Sequence, residues 1–149
     1  MKTCRNLVVL LSATLLLAGS AVAQNLFVAA YSSDSILELV SNNGVLSTNP
    51  TLFASGLNGP VALAFDSLGD LFEADWTGEK IYEFPNTDGI LSTNPTVFAS
   101  GLGGPLALVF DSAGDLFEAD AHSNRIYKFI SHDGVLTTRA LMPSALNFS

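Results

Sequence analysis

The sequence predicts an all-β fold built from a repeated unit. The segment from Gly59 to Asp75 returns nearly unchanged from Gly104 to Asp120, an offset of 45 residues. Within the unit, larger apolar residues alternate with alanines, as strands require, and no 3.6-residue apolar spacing continues long enough for a helix. Because a unit of this length cannot bury both of its faces alone, the repeats are expected to pack on one another.

Each unit is expected to contain four short antiparallel strands. In the middle unit these are Val61 to Phe65, Leu71 to Asp75, Lys80 to Phe84 and a fourth near Thr96 to Ala99. Asp66 and Gly69 take the first and fourth positions of a type I turn, and Asp88-Gly89 is typical of a tight hairpin. Both faces of such a sheet are largely apolar, which indicates a β-propeller blade rather than a solenoid coil, because neighbouring blades cover a blade on each side.

The repeated residues resemble the NHL-repeat consensus. The likeness rests on Gly104-Pro105, the run that ends at Asp111, the segment from Gly114 to Asp120 and the segment from Asn124 to Phe129. It extends over nearly all of the chain after the first 23 residues. The resemblance implies a propeller related to gluconolactonase and the regucalcin type and to the streptogramin lyases, whose rings have about six or seven blades.

The sequence also departs from that consensus. Asn124 stands where the family often has histidine, Glu73 and Glu118 replace a usual aliphatic residue, and Asp70 and Asp115 replace a common asparagine. The catalytic acids and histidines of the related enzymes map onto no residue of this chain. The resemblance therefore assigns no catalytic residue here.

The first 23 residues lie outside the repeat and predict a secretory signal peptide. Lys2 and Arg5 precede an apolar run from Leu7 to Gly19, and Ala21-Val22-Ala23 offers small residues for cleavage. The run is shorter than the roughly 20 residues of a membrane span. We therefore expect residues 24–149 to be secreted or periplasmic, without a membrane anchor after cleavage.

Cleavage would also change the chemistry available to the chain. It removes Cys4, the one cysteine, so residues 24–149 can form no disulfide, catalytic thiolate or cysteine metal site. Four basic residues then remain against fourteen acidic ones, a formal charge of −10. Such acidity argues against nucleic acid or an anionic membrane surface as a partner.

The number of units is too small for a closed ring. The units cover about residues 26–66, 71–111 and 116–149, whereas closed propellers have about four to eight blades. The favoured interpretation is an amino-terminal fragment of a longer propeller. Two alternatives stay open: a homodimer that completes a six-blade ring, for which the tail Ser144 to Phe148 supplies a first strand, and an open three-blade stack.

The first candidate site is a set of carboxylates at equivalent positions of two units, Glu73, Asp75, Glu118 and Asp120. Hard oxygen ligands of this kind suit Ca²⁺ or Mg²⁺. The alternative is that the two aspartates bond loop amides near Thr77 or Ser123. The two glutamates need solvation, protonation or a partner such as Lys80 or Arg125, because an unpaired charge between blades costs several kcal/mol.

Aromatic residues and histidines supply the other candidates. Tyr31 and Trp76 occupy equivalent positions after the second strand, where they could stack on a sugar or peptide or simply pack on a neighbouring loop. His122 and His132 lie in loops and are interpreted as solvated, since neither has a recognisable nucleophile nearby. The repeated Asp66, Gly69 and Asp70 are interpreted as turn residues because the other ligands of a calcium loop are absent.

Two classes of function follow from these patterns. The leading hypothesis is a secreted, non-enzymatic propeller module or fragment that presents its blade loops to a protein or carbohydrate. The alternative, implied by the resemblance, is a divalent-metal-dependent lactone hydrolase or lyase of the gluconolactonase type. Fold alone does not decide between them, since propellers have many functions.

Overall fold

The computed structural model describes residues 24–137. This part consists of short strands and one 3₁₀ turn, Tyr31–Ser33, and contains no helix long and apolar enough to span a membrane. The predicted signal peptide, residues 1–23, and the predicted strand at Ser144 to Phe148 lie outside the described residues.

The N-terminal blade is a three-stranded antiparallel sheet with a short hairpin. Its five strands are Leu26–Ala30 (β1), Ser35–Leu39 (β2), Ser41–Asn42 (β3), Val45–Leu46 (β4) and Thr51–Ser55 (β5). The sheet order is β1, β2, β5, and β3 pairs with β4 as the hairpin. This sheet therefore contains the second, third and fourth strands of the predicted unit.

The central blade has the complete set of four strands. Its strands are Pro60–Phe65 (β6), Leu71–Asp75 (β7), Lys80–Phe84 (β8), Asn86–Thr87 (β9), Ile90–Leu91 (β10) and Thr96–Ser100 (β11). The main sheet has the order β6, β7, β8, β11, so the four predicted strands form one sheet. β6 begins one residue earlier than expected because a bulge between Pro60 and Ala62 allows Pro60 to pair with Asp75.

The C-terminal blade again has three long strands. Its strands are Pro105–Phe110 (β12), Leu116–Asp120 (β13), Arg125–Phe129 (β14), Ser131–His132 (β15) and Val135–Leu136 (β16). The sheet order is β12, β13, β14, and β15 pairs with β16. Within residues 24–137, this blade has no counterpart of β11, and the N-terminal blade has no counterpart of β6.

The turns form as the sequence predicts. In the central blade the Asp66 carboxylate accepts hydrogen bonds from the amides of Leu68 and Asp70, both at 2.9 Å. The same contacts recur around Asp111 in the C-terminal blade. Gly69 closes the first of these turns with a φ of +87°, a conformation that L side chains rarely adopt. Turn formation thus accounts for the repeated aspartate and glycine without a bound ion.

Two equivalent apolar cores hold the blades together. We call the contact between the N-terminal and central blades the first interface, and that between the central and C-terminal blades the second. The first is built on Ile36, Phe53, Leu63, Leu71 and Phe84. The second is built on the residues 45 positions later, Ile81, Phe98, Leu108, Leu116 and Phe129. The one repeated sequence therefore makes the same contact twice.

Candidate functional site

An aromatic row lies at the end of the blades where β1, β7 and β13 finish. We define the row as Tyr31, Trp76 and His122, which follow the second strand of three successive units. The Trp76 and His122 rings meet edge to face, with centroids 5.1 Å apart. Tyr31 lies against Gly59 of the loop that enters the central blade. The row thus contains one residue from each blade.

Glycines give the row its close fit to the backbone. A Cβ at Gly59 would lie 2.9 Å from both the Tyr31 ring and the Thr77 hydroxyl, and a Cβ at Gly104 would lie 3.1 Å from the His122 ring. Both glycines also have a positive φ. The Gly59 amide in addition donates a hydrogen bond of 2.9 Å to the Asp34 carboxylate. The rings therefore rest on fixed loops.

The members of the row differ in exposure. Tyr31 is 40% exposed and His122 is exposed, whereas Trp76 is half-buried. The indole of Trp76 packs on a small cluster formed by Val61, Ala62 and Ala74. Trp76 thus packs on its neighbours, as one of the two sequence interpretations has it, and ligand binding by Tyr31 and Trp76 stays a prediction.

The contact between Trp76 and His122 was not predicted from the sequence. In the third unit Ala121 takes the position of Tyr31 and Trp76, so strict repetition indicated an interrupted row. His122, one residue further on, fills the gap from the neighbouring blade. A search that allowed a shift of one residue between units would have found it.

Asp75 and Asp120 fix the loops at this same end of the blades. The Asp75 carboxylate accepts hydrogen bonds of 2.8 Å from the amides of Asn58 and Gly78. Asp120 accepts one of 2.8 Å from the Ser123 amide and a short one from the Gly103 amide. These are the loop contacts that the sequence offered as the alternative to metal binding, although in the central blade the donor follows Thr77.

Glu73 and Glu118 are fully buried in the two interfaces. Strand alternation places Glu73 on the same face as Leu71, toward the N-terminal blade, and Glu118 on the same face as Leu116, toward the central blade. No oxygen of either carboxyl group has a hydrogen-bond partner. Of the three alternatives that the sequence left open for these glutamates, the structure thus shows no hydrogen-bonded partner such as Lys80 or Arg125.

The register explains why those cations do not reach the glutamates. Tyr82 lies directly opposite Glu73 in the sheet, whereas Lys80 lies opposite Asp75 at the strand end. The Lys80 ammonium lies 5.6 Å from the centroid of the Tyr82 ring. In the C-terminal blade Tyr127 likewise lies opposite Glu118. In both blades the residue opposite the buried glutamate is therefore a tyrosine and not a cation.

Because the Glu73 and Glu118 carboxyl groups are buried, they are accommodated in the protonated form. Loss of solvation raises the pKa of Glu73 to about 9 and that of Glu118 to about 8. The negative charges of Asp75 and Asp120 act in the same direction with a smaller effect. Both glutamates are accordingly neutral near pH 7, as a carboxyl in an apolar setting prefers.

The four carboxylates of the predicted metal site do not form one cluster. Glu73 and Glu118 lie in different interfaces, and the two aspartates are bonded to loop amides. Among residues 24–137, no three His, Cys, Asp or Glu side chains come together as a metal site would require. Binding of Ca²⁺ or Mg²⁺ at these residues stays a prediction.

Two further carboxylates tie the hairpins β9–β10 and β15–β16 to their blades. Asp70 accepts a hydrogen bond of 2.6 Å from the Asn86 amide, and Asp115 accepts one of 2.7 Å from the Ser131 amide. The Lys128 ammonium lies 2.6 Å from the other oxygen of Asp115 and lowers the pKa of that carboxyl group. His132 is exposed on the neighbouring hairpin.

Solved structures share this fold. Virginiamycin B lyase from Staphylococcus aureus matches at a TM-score of 0.57 and 18% identity, over 76% of this chain and 36% of the lyase. A chain of the nidogen–laminin complex matches at a TM-score of 0.59 and 21% identity, over 74% of this chain and 41% of its own length. These neighbours are β-propellers. The chain is an incomplete β-propeller.

A gluconolactonase from Xanthomonas campestris is a third neighbour of this propeller. It matches at a TM-score of 0.51 and 26% identity, over 73% of this chain and 34% of the enzyme. The chain thus spans between 34% and 41% of the length of the three structures. No family model matches the sequence, and no curated protein matches it either. The predicted fold and the resemblance to these propellers are confirmed.

Proposed function

We propose that the chain is a secreted β-propeller module that binds a protein or carbohydrate ligand along the aromatic row. The observation that carries the proposal is that three successive blades each contribute one ring, Tyr31, Trp76 and His122, to one end of the sheets. Aromatic rings give large contact areas to sugars and peptides and dominate many binding sites.

The local geometry supports a binding role. Gly59 and Gly104 leave two of the rings room that a Cβ would take, and Asp34, Asp75 and Asp120 hold the loops with hydrogen bonds to backbone amides. Rings that are already held in place lose little conformational entropy when a ligand binds. The formal charge of −10 for residues 24–149 favours a neutral or basic ligand.

Ligand binding is measured by the fluorescence of Trp76, because the chain has one tryptophan. Neutral oligosaccharides and basic peptides are titrated into residues 24–149 while the indole emission is followed. We expect a saturable change for one of these classes, and we expect Tyr31→Ala and His122→Ala to weaken binding at least about tenfold, the loss of one anchoring contact. Ile90→Ala, at a hairpin tip that is 73% exposed, serves as the control.

Two results would count against the proposal. Saturable binding that is unchanged in Tyr31→Ala and His122→Ala would place the ligand elsewhere on the blades. No change in indole emission with either ligand class, with no heat of binding by calorimetry, would remove the row as a site for such ligands.

A lactone hydrolase of the gluconolactonase type is the second candidate. Its support is the 26% identity to the Xanthomonas campestris gluconolactonase and the two neutral carboxyl groups, the form that a general acid requires. It ranks second because Glu73 and Glu118 lie within packed interfaces, where a substrate has no access.

The two candidates are separated by an activity measurement. Hydrolysis of a gluconolactone is followed with and without added Ca²⁺ or Mg²⁺, in the parent chain and in Glu73→Gln and Glu118→Gln. Metal-dependent turnover that either substitution abolishes would make the hydrolase the leading function. Turnover at the uncatalysed rate in all three proteins would leave the binding module as the proposal.

A further inference from the structure

The first and second interfaces are two copies of one contact. Phe27 meets Phe65 across the first with ring centroids 5.6 Å apart, and Phe72 meets Phe110 across the second at 5.3 Å. The short hairpins make equivalent contacts too, since Leu91 packs on the first core and Leu136 on the second. Each blade therefore has a leading face that covers the blade before it and a trailing face that receives the blade after it.

The trailing face of the C-terminal blade is apolar, and no blade covers it within residues 24–137. Val109 is 60% exposed, whereas its equivalent in the central blade, Ala64, is 5% exposed. Leu106 is 47% exposed, and its equivalent Val61 is 8% exposed. Val109 lies directly opposite Phe117 in the sheet, so the two side chains share this face. A shallow cleft of about 210 Å³ opens beside Leu106 and Ile126.

The leading face of the N-terminal blade is the complementary half of the same contact. Leu26 lies opposite Leu39, and Val28 lies opposite Leu37, so four aliphatic side chains share that face. Leu46 stands at the position of Leu91 and Leu136 in the other hairpins, yet it is 41% exposed. It has no preceding blade to cover within residues 24–137.

We infer that the trailing face of the C-terminal blade binds the leading face of the N-terminal blade of a second copy of this chain. Within residues 24–137 the chain has the β12–β14 part of one half and the β1–β2 part of the other half of a contact that it makes twice internally, and this continuity identifies the occupant. Such a head-to-tail contact closes into a ring when the rotation between blades permits it.

The blade count agrees with a ring of two copies. Closed propellers have about four to eight blades, and two copies of the three described sheets give six. One chain spans 34% to 41% of the length of the three propellers compared above, so two copies approach the length of one such protein. A ring of six blades has six contacts between neighbours, and the two contacts between copies would be the third and the sixth.

The test is the mass of residues 24–149 by light scattering over a range of protein concentrations. We expect a discrete dimer for the parent chain. Val109→Asp on the trailing face and Leu46→Asp on the leading face should each raise the dimer dissociation constant at least about tenfold, since each buries an unpaired charge in the contact. Both positions are exposed within one copy, so circular dichroism should show unchanged folding.

Val97→Asp is the matched control, because Val97 is 54% exposed on the outer strand of the complete central blade. It should remain dimeric. Mixing Val109→Asp with Leu46→Asp should restore a dimer, since the leading face of the first variant and the trailing face of the second are both intact.

Three outcomes would overturn the inference. A monomeric parent chain at all concentrations would show that a second copy does not occupy the face. A dimer that Val109→Asp leaves intact would place the contact elsewhere. Loss of the dimer in Val109→Asp but not in Leu46→Asp, with no recovery on mixing, would indicate a symmetric contact between two trailing faces.

Discussion

β6 of the central blade and β12 of the C-terminal blade have nearly the same sequence but different surroundings. All residues of β6 but Phe65 are buried, whereas in β12 Leu106, Ala107 and Val109 are exposed. Both strands pair with a neighbour in the same register. The difference arises because β6 has blades on both sides and β12 has one. Burial here is a property of the neighbouring blade and is not encoded in the strand itself.

The largest expected effect is a loss of stability when an apolar residue is removed from a covered trailing face. Phe72 is 2% exposed in the second interface, and Phe117 is its half-buried equivalent on the uncovered face. Phe72→Ala should lower the free energy of unfolding by about 3–5 kcal/mol because it leaves a cavity in a closed core. Phe117→Ala should cost about 1–2 kcal/mol, since water already reaches that face.

Urea unfolding measures both variants, at a protein concentration where the chain is monomeric. Equal costs for the two substitutions would mean that the C-terminal blade is covered on its trailing face even in a single copy. That result would remove the contrast between the two blades.

The buried glutamates should make stability depend on pH in one direction. The ordinary pKa of 4.5 is raised to about 9 in Glu73 and about 8 in Glu118. Between these values the folded state keeps protons that the unfolded state releases, so stability is full below pH 4.5 and falls as the pH rises. The slope is at most about 1.4 kcal/mol per pH unit for each group.

Urea midpoints from pH 6 to 9 check this expectation. Asp115, with a lowered pKa, acts in the opposite direction and only in acid, where its stabilisation is lost as the pH falls. Glu73→Gln combined with Glu118→Gln should flatten the profile above pH 6. A profile that keeps its slope in this double variant would mean that other groups titrate.

The position of the buried glutamate also differs among the three blades. Val28 stands where Glu73 and Glu118 stand in the next two blades. Glu73→Met should raise the free energy of unfolding at pH 8 by about 1–3 kcal/mol, because it removes a buried polar group without a partner. Glu38→Met, at a side chain that accepts a hydrogen bond from Asn25, is the control and should not stabilise the chain. A loss of stability in Glu73→Met would indicate that the carboxyl group has a partner in solution.

The smallest expected effect concerns a backbone position that all three blades share. Asp34, Glu79 and Asn124 are equivalent, with φ values of 49°, 57° and 52°. Aspartate and asparagine tolerate this left-handed conformation better than glutamate. Glu79→Asn should therefore stabilise the fold by about 0.5–1 kcal/mol, and Asn124→Glu should destabilise it by a similar amount. Thermal unfolding of both variants gives the comparison, and shifts of the same sign would contradict it.

The candidate site was only partly predictable from the sequence. Tyr31 and Trp76 were found by repetition, because both occupy one position of the unit. The role of His122 as the third ring was missed, since it stands one residue away from that position and reaches Trp76 from another blade. The protonation of Glu73 likewise depends on its burial against the N-terminal blade. Contacts between chain segments far apart in sequence leave no mark in a local pattern.

Features that depend on a few neighbouring residues follow from the sequence alone. Alternation of apolar side chains gave the four strands of the central blade, Asp66 and Gly69 gave its first turn, and Asp88-Gly89 gave its hairpin. The tertiary structure alone decided which equivalent faces are buried and that the glutamates between blades are neutral. The physical reason is that side-chain and backbone sterics are local, whereas burial and desolvation depend on which blade lies alongside.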